Sequence, residues 1–355
     1  MKGRYIHNAL VLAGVLSFSA TAMAANWFPL DVQQIASDGS TKMVPYQGVD
    51  KATQPWKICA AIPHLKDAFW MAGDYGLAME AKRVGVQLQI MDAGGYPNLN
   101  NQISQIENCV AGGAQAVVLG AVSRDGLNNL LAELKKKQIP VVDLLTGVSS
   151  EDVGSHVLAS PYAEGYNAGQ FLVRRHPEGS PVVKVAWLPG PAGTGFVEQF
   201  DQGFKEGIKG GAIDIVETKH GDLGKEVQAR LVEDVLQTHK SLDYIVGSGV
   251  TAEAGVPILR AHNKIGKSKL ISLYMTPGVY NGIKQKTIEA AYMERGVISA
   301  RIAIDQAVKL LEKQDVIRNM VVLGHYYDQS NINEADTSQA FAPAGFRPVF
   351  NVDAK

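Results

Sequence analysis

WKICAAIPHLKDAFWMAGDYGLAMEAKRVGVQLQIM, residues 56–91, is the stretch that decides the fold. Trp56–Ala61 is a short apolar run of strand length. A helical pattern follows from Ala68 to Val84, with Leu77, Ala81 and Val84 at i, i+4 and i+7 on one face. Val86–Met91 is the next strand. Strand, helix and strand in this order begin a parallel sheet.

The alternation continues downstream. A helix is expected near Leu99–Gly112, a strand at Ala116–Leu119, a helix at Leu127–Lys137 and a strand at Val141–Leu144. The pattern pauses at Gly147–Gly154, and His156–Ala159 is extended. A second run follows: helix Tyr162–Arg174, strand Val182–Leu188, helix Phe196–Lys209, strand Ile213–Thr218 and helix Lys225–His239. Strand Tyr244–Val246, helix Ala252–Ala261, strand Leu270–Tyr274, a short helix Gly278–Gln285 and strand Ile288–Tyr292 extend it. The last strong helix is Ile298–Glu312.

Two α/β runs of similar size predict two doubly wound parallel-sheet lobes with a cleft between them. Ligands of such sheets bind at the carboxyl ends of the strands. The expected division is 56–159 plus 296–322 for the N-terminal lobe and 160–295 plus 323–355 for the C-terminal lobe and tail. Residues 25–55 lack periodicity and read as an irregular lead-in. Crossings near 156–161, 290–296 and 318–326 predict hinged closure around a ligand.

The N-terminus sets the expected compartment. Lys2 and Arg4 precede an apolar segment, Ala9–Ala20, and Ala22-Met23-Ala24 is a small-x-small site. Residues 1–24 therefore read as a signal peptide cleaved before Ala25, directing the chain to the periplasm. No later segment is long and apolar enough to span a membrane.

Composition narrows the function. The 355 residues are 46% hydrophobic and 19% charged, as in a globular protein. Net charge is -1, and no basic run exceeds Lys135-Lys136-Lys137, so nucleic acid is not an expected partner. The 2 cysteines exclude a multi-disulfide scaffold and a four-cysteine zinc site. In an oxidising compartment, Cys59 and Cys109 read either as a disulfide or as two buried thiols.

Catalytic motifs fail one by one. Residues 261–268 end in Gly-Lys-Ser but lack the first glycine of a phosphate-binding loop. Gly190-Pro-Ala-Gly-Thr-Gly195 lies between a strand and a helix, without dinucleotide spacing. There is no His-Glu-x-x-His and no Gly-x-Ser-x-Gly, and Glu233-Asp234 reads as a solvated face. The expectation is a binding protein, not an enzyme, with no catalytic residues, metal or cofactor.

The loops after the strands carry aromatics instead. Asp67-Ala-Phe-Trp70 follows the first strand, and Gly94-Gly95-Tyr96 follows the second. Tyr162 follows the crossing near Ala159, and Tyr274 ends a strand of the second lobe. Trp70, Tyr96 and Tyr274 together read as an aromatic box for a cation. Phe69 and Tyr75 read as core.

From Trp56 onward the chain resembles the type I periplasmic binding proteins. Within them it is most similar to the trimethylamine N-oxide sensor branch. The likeness rests on Trp56-Lys-Ile-Cys59, Leu65-Lys-Asp-Ala-Phe-Trp70, Ala93-Gly-Gly-Tyr96, Cys109, Leu188-Pro-Gly-Pro191 and Gly345-Phe-Arg-Pro-Val349. It implies binding of trimethylamine N-oxide or a related methylated amine among Asp67, Trp70, Tyr96 and Tyr274. It also implies a partner, the periplasmic sensor domain of a hybrid histidine kinase that controls respiration on the N-oxide. Two positions depart from the pattern. Pro161 stands where that branch has a Trp, beside Tyr162. Arg295, just past a strand of the second lobe, would suit an anionic group. The alternative function is a solute receptor that feeds a sugar or sugar-like ligand to an ABC transporter.

Overall fold

The structure, a computed structural model, describes residues 27–354. The expected signal peptide and its cleavage site lie outside the described residues. The first run contains β1 (Leu30–Ile35), β2 (Thr41–Tyr46), β3 (Lys57–Ile62), α1 (Ala68–Val84) and β4 (Gln87–Asp92). It continues with α2 (Leu99–Ala111), β5 (Ala116–Leu119), α3 (Asn128–Lys136), β6 (Val141–Leu145) and β7 (Ser155–Leu158). The second run contains α4 (Pro161–Arg175), β8 (Val183–Gly190), α5 (Gly195–Gly207), β9 (Ile213–His220) and α6 (Lys225–Thr238). It ends with β10 (Tyr244–Gly247), α7 (Gly249–Ala261), β11 (Lys269–Tyr274), α8 (Pro277–Lys284) and β12 (Ala290–Met293). The chain then returns through α9 (Gly296–Leu311), β13 (Asn319–Val321), β14 (His325–Asp328) and β15 (Asn351–Val352).

Two sheets result. The N-terminal lobe has strand order β15-β4-β3-β5-β6-β7-β13-β1-β2, and the C-terminal lobe has β14-β12-β11-β10-β8-β9. Consecutive pairs from β4 to β13 in the first sheet, and from β12 to β9 in the second, are parallel. Strands covered on both faces read as unbroken apolar runs. β5, β6, β10 and β12 are accordingly buried along their whole length. The chain passes between lobes at 158–161, 293–296 and 321–325.

Local chemistry sets the helix that opens the site. Asp67 caps α1 by accepting the Trp70 N–H, and Gly85, at φ 83°, ends it in the left-handed region. Lys82 and Arg83 occupy the last turn, where cations suit the helix dipole. Leu77, Ala81 and Val84 are fully buried. Burying one such leucine is worth roughly 1.5–3 kcal/mol. In the other lobe α4 and α5 approach closely through glycines. A side chain at Gly203 would overlap the Tyr162 carbonyl, and one at Gly165 would overlap that of Phe200.

Cys59 on β3 and Cys109 on α2 form a disulfide, with Cα atoms 6.4 Å apart. It closes a loop over a sequence separation of 50, which in the chain-entropy account contributes about 3–4 kcal/mol.

The two ends of the chain differ from the sequence expectation. Residues 25–55 are not an irregular lead-in throughout. β1 and β2 form an antiparallel hairpin, and β1 pairs antiparallel with β13, so the hairpin extends the N-terminal sheet. The tail does not stay with the C-terminal lobe. β14 joins that lobe's sheet, but β15 pairs with β4 of the N-terminal lobe, and Val352 enters its core. Just before it, the Val349 N–H donates to Asp74 Oδ2 at 2.9 Å. Burial pushes the Asp74 carboxyl up to about 6.

Candidate functional site

The carboxyl ends of both sheets face each other across a cavity of about 40 Å³. That space suits a few waters or one compact molecule. From the N-terminal lobe come Phe69 and Trp70 at the start of α1, Tyr96 after β4, and Leu145 and Thr146 at the end of β6. Trp70 fits because residue 120 is glycine: a Cβ there would overlap the indole. The Trp70 Nε1–H donates to the Tyr96 hydroxyl at 3.2 Å, which fixes both rings. Positive φ at Gly94 and Gly95 turns the chain so that Tyr96 faces inward.

The C-terminal lobe supplies Phe196 and Phe200 on α5, Tyr274 at the end of β11, and Leu223. The rings form a connected wall. Phe69 meets Trp70 edge-on at 5.7 Å and Tyr274 at 5.4 Å. Tyr96 meets Phe196 at 5.2 Å, and Phe196 meets Phe200 at 5.7 Å. Such contacts contribute beyond area burial and present negative ring faces to a ligand.

Two carboxyl groups interrupt this apolar wall. Glu164 on α4 and Glu294 after β12 line the cavity at 1% and 9% exposure. Apart from the Glu294 carboxyl, no N–H or hydroxyl among the described residues reaches either oxygen of Glu164. Burial, followed by the charge of Glu294, pushes the Glu164 carboxyl well above the usual range. Burial also raises Glu294, and a hydrogen bond with Glu164 moderates the rise. Two adjacent buried carboxyls are stable when they share a proton. Among the described residues, no Lys, Arg, His, Asn or Gln lines the cavity.

Three contacts hold the lobes together around it. The Tyr274 hydroxyl donates to Asp67 Oδ2 at 3.4 Å. Lys66 pairs with Asp222 at 3.0 Å, and Arg124 pairs with Glu198 at 3.0 Å on the exposed side.

Of the six positions expected at the site, Trp70, Tyr96 and Tyr274 face the cavity together. Asp67 stands directly behind them, its oxygens occupied by the Trp70 N–H and the Tyr274 hydroxyl. Tyr162 lies outside. It is two residues from Glu164, about 200° around the helix, and its ring stacks on Tyr166 at 6.0 Å. Arg295 also lies outside, because its Nε–H donates to Gln339 in the tail at 2.7 Å. Phe69, expected in the core, is part of the cavity wall, as are Phe196, Phe200, Glu164 and Glu294. A signal for Glu164 was present. It shares the spacing i, i+4, i+7, i+8 with Ala168, Phe171 and Leu172, so a charge sits on the buried stripe of α4. Pro161, at the first position of α4, lines the cavity with a smaller surface than a Trp would give. Among the described residues, no group of three or more His, Cys, Asp or Glu could hold a metal ion.

Comparison with known proteins places this architecture. Residues 58–315 match the periplasmic binding protein domain. The Escherichia coli K12 periplasmic protein TorT is 30% identical over 322 residues, 90% of each chain. An ABC transporter solute binding protein from Bradyrhizobium sp. BTAi1, solved with bound BIS-TRIS, is 47% identical with a TM-score of 0.78. That match covers 92% of this chain and 99% of that one. TorT in complex with the TorS sensor domain, solved in the presence of trimethylamine N-oxide, is 32% identical with a TM-score of 0.75. It covers 83% of this chain and 99% of that one. The Bradyrhizobium relative is named a solute binding protein, and TorT a periplasmic protein that forms a complex with a sensor domain. The chain belongs to the periplasmic binding protein family, and its two-lobed fold is that of the type I members.

Proposed function

We propose that this protein binds a small methylated or alkylated amine in the interlobe cavity and signals its presence through lobe closure. Trimethylamine N-oxide is one candidate ligand. The observation that carries the reading is an interlobe cavity walled by six aromatic rings, with two buried carboxyls and, among the described residues, no planar amide or guanidinium. Methyl groups on a positive nitrogen suit ring faces, at about 0.5–2 kcal/mol per ring. An N-oxide oxygen also needs a donor, and the shared carboxyl proton or the Tyr96 hydroxyl can supply one. A sugar needs planar polar partners around stacked rings, and this lining offers few. Periplasmic location and docking on the sensor domain of a histidine kinase accompany this reading, in line with the TorS–TorT relative.

Titration calorimetry and thermal shift with trimethylamine N-oxide, trimethylammonium, ribose and galactose test it. A ligand that binds only the folded state raises its stability. The expected result is a shift with the amines and none with the sugars. Heat from a sugar alone would overturn the reading. Small-angle scattering checks the motion: the radius of gyration should fall when the lobes close.

The transporter-type name of the Bradyrhizobium relative favours a second reading, delivery of the same ligand class to an ABC transporter. A pull-down with the sensor domain and with the permease separates the two.

A further inference from the structure

We infer that Glu164 and Glu294 form a charge-selecting seat, fitted to a compact ligand with a full positive charge, an ammonium or quaternary ammonium, in preference to a neutral one. This rests on the amine reading above and specifies which amines the same cavity takes.

The geometry has three parts. Both carboxyls are at least nine-tenths buried and line one cavity. Neither Glu164 oxygen meets a donor among the described residues other than the Glu294 carboxyl. The adjacent cation, Arg295, is turned to Gln339 and the tail. Beside the pair stand Tyr292 from β12, Tyr96 after β4, and Thr146 after β6, whose hydroxyl is also without a partner; behind Tyr96 lie the Asp67 and Asp222 carboxylates and the His64 ring, 5.3 Å from it. A buried carboxylate needs a counter-charge. Among the described residues none stands at that point, while aromatic faces that attract cations surround it.

The pair lowers its own charge by sharing a proton, in keeping with the raised titration of both groups. An arriving cation favours the fully ionised pair. The acid O–H bond then breaks, its electrons stay on the carboxylate oxygen, and the proton leaves to solvent. A quaternary ammonium has no N–H to lose, so any proton released comes from the protein. Affinity for the cation should therefore rise with pH and fall on acidification.

The test is calorimetry of the whole protein with tetramethylammonium and with trimethylamine N-oxide, in two buffers of different ionisation enthalpy. The expected result is tetramethylammonium binding at least about tenfold tighter, with proton release. Glu164→Gln should weaken tetramethylammonium by about tenfold or more and abolish the release, while Glu164→Asp retains it. Equal or tighter binding of the N-oxide by the wild type would overturn the inference and leave the amine reading standing. Binding of neither compound would end both. The wild-type ratio and buffer dependence decide the matter even if Glu164→Gln fails to fold.

Discussion

Glu80 and Asp305 form one buried acidic pair in this molecule, and Glu164 and Glu294 form another. Both members of the first pair are fully buried between α1 and α9. Arg83 donates to Glu80 and lies 3.5 Å from Asp305, and Arg301 lies 3.5 Å from Glu80. The Trp27 indole donates to Glu80, and the Val49 N–H donates to Asp305. These contacts fasten the N-terminal segment to the helices. The second pair has similar burial and, among the described residues, no arginine partner. A buried charge satisfied by its own chain is structural. One left open inside a cavity marks where something else must sit.

Glu80→Gln gives the largest expected effect. Arg301 would lose its anion and Arg83 would keep only Asp305, and stability should fall by about 3–5 kcal/mol in urea melts. A loss below about 1 kcal/mol would erase the distinction between the pairs.

Glu164→Gln should act in the opposite direction. The raised Glu164 carboxyl is a cost that grows as pH rises from the ordinary glutamate range toward its raised value. The ligand-free variant should be more stable near neutral pH, because burial and the charge of Glu294 hold the wild-type carboxyl above the usual range. The gain should vanish on acidification, when the wild-type carboxyl is protonated in both states. A pH series of thermal melts reads this directly.

Trp70→Ala asks whether the open pair and the rings act as one site. It should lower amine affinity by about 1 kcal/mol, within the range for one ring. Tyr75→Ala should leave affinity unchanged, since Tyr75 packs on Phe346 at 5.2 Å, away from the cavity. Equal losses in calorimetry would refute the wall. Arg295→Gln should have the smallest effect, within about 0.5 kcal/mol in binding, because that side chain faces the tail. A larger change would return a cation to the seat and undo the comparison.

Periodicity made the two lobes legible. Runs such as Ala116–Leu119 and helices such as Ala68–Val84 have to bury apolar faces, and that necessity is written in their spacing. The β1–β2 hairpin was not legible. It sits at the sheet edge, only Val32 and Tyr46 are buried in it, and its other side chains are half-buried or exposed. Trp70, Tyr96 and Tyr274 could be found because they sit near the carboxyl ends of strands. Glu294 occupies an equivalent address, but the sequence does not show whether Glu294 or its neighbour Arg295 turns inward. The backbone at 294–296 settles that. Tyr162 and Glu164 pose the same problem on a helix, where adjacent positions point to different sides.

The tail adds a mechanical limit. Phe341 packs in the core of the C-terminal lobe, and Val349 is fixed to Asp74 of the other lobe. Ala342–Pro348 runs between them past Asp67 and Pro277, across the join of the lobes. Fully drawn out, the segment from Phe341 to Val349 reaches about 28 Å. It acts as a leash with a fixed maximum. Small openings draw on its slack, and larger ones are stopped at full extension unless an anchor lets go. Any parting of the lobes is thereby bounded by a length of backbone, whatever energy the cleft contacts contribute.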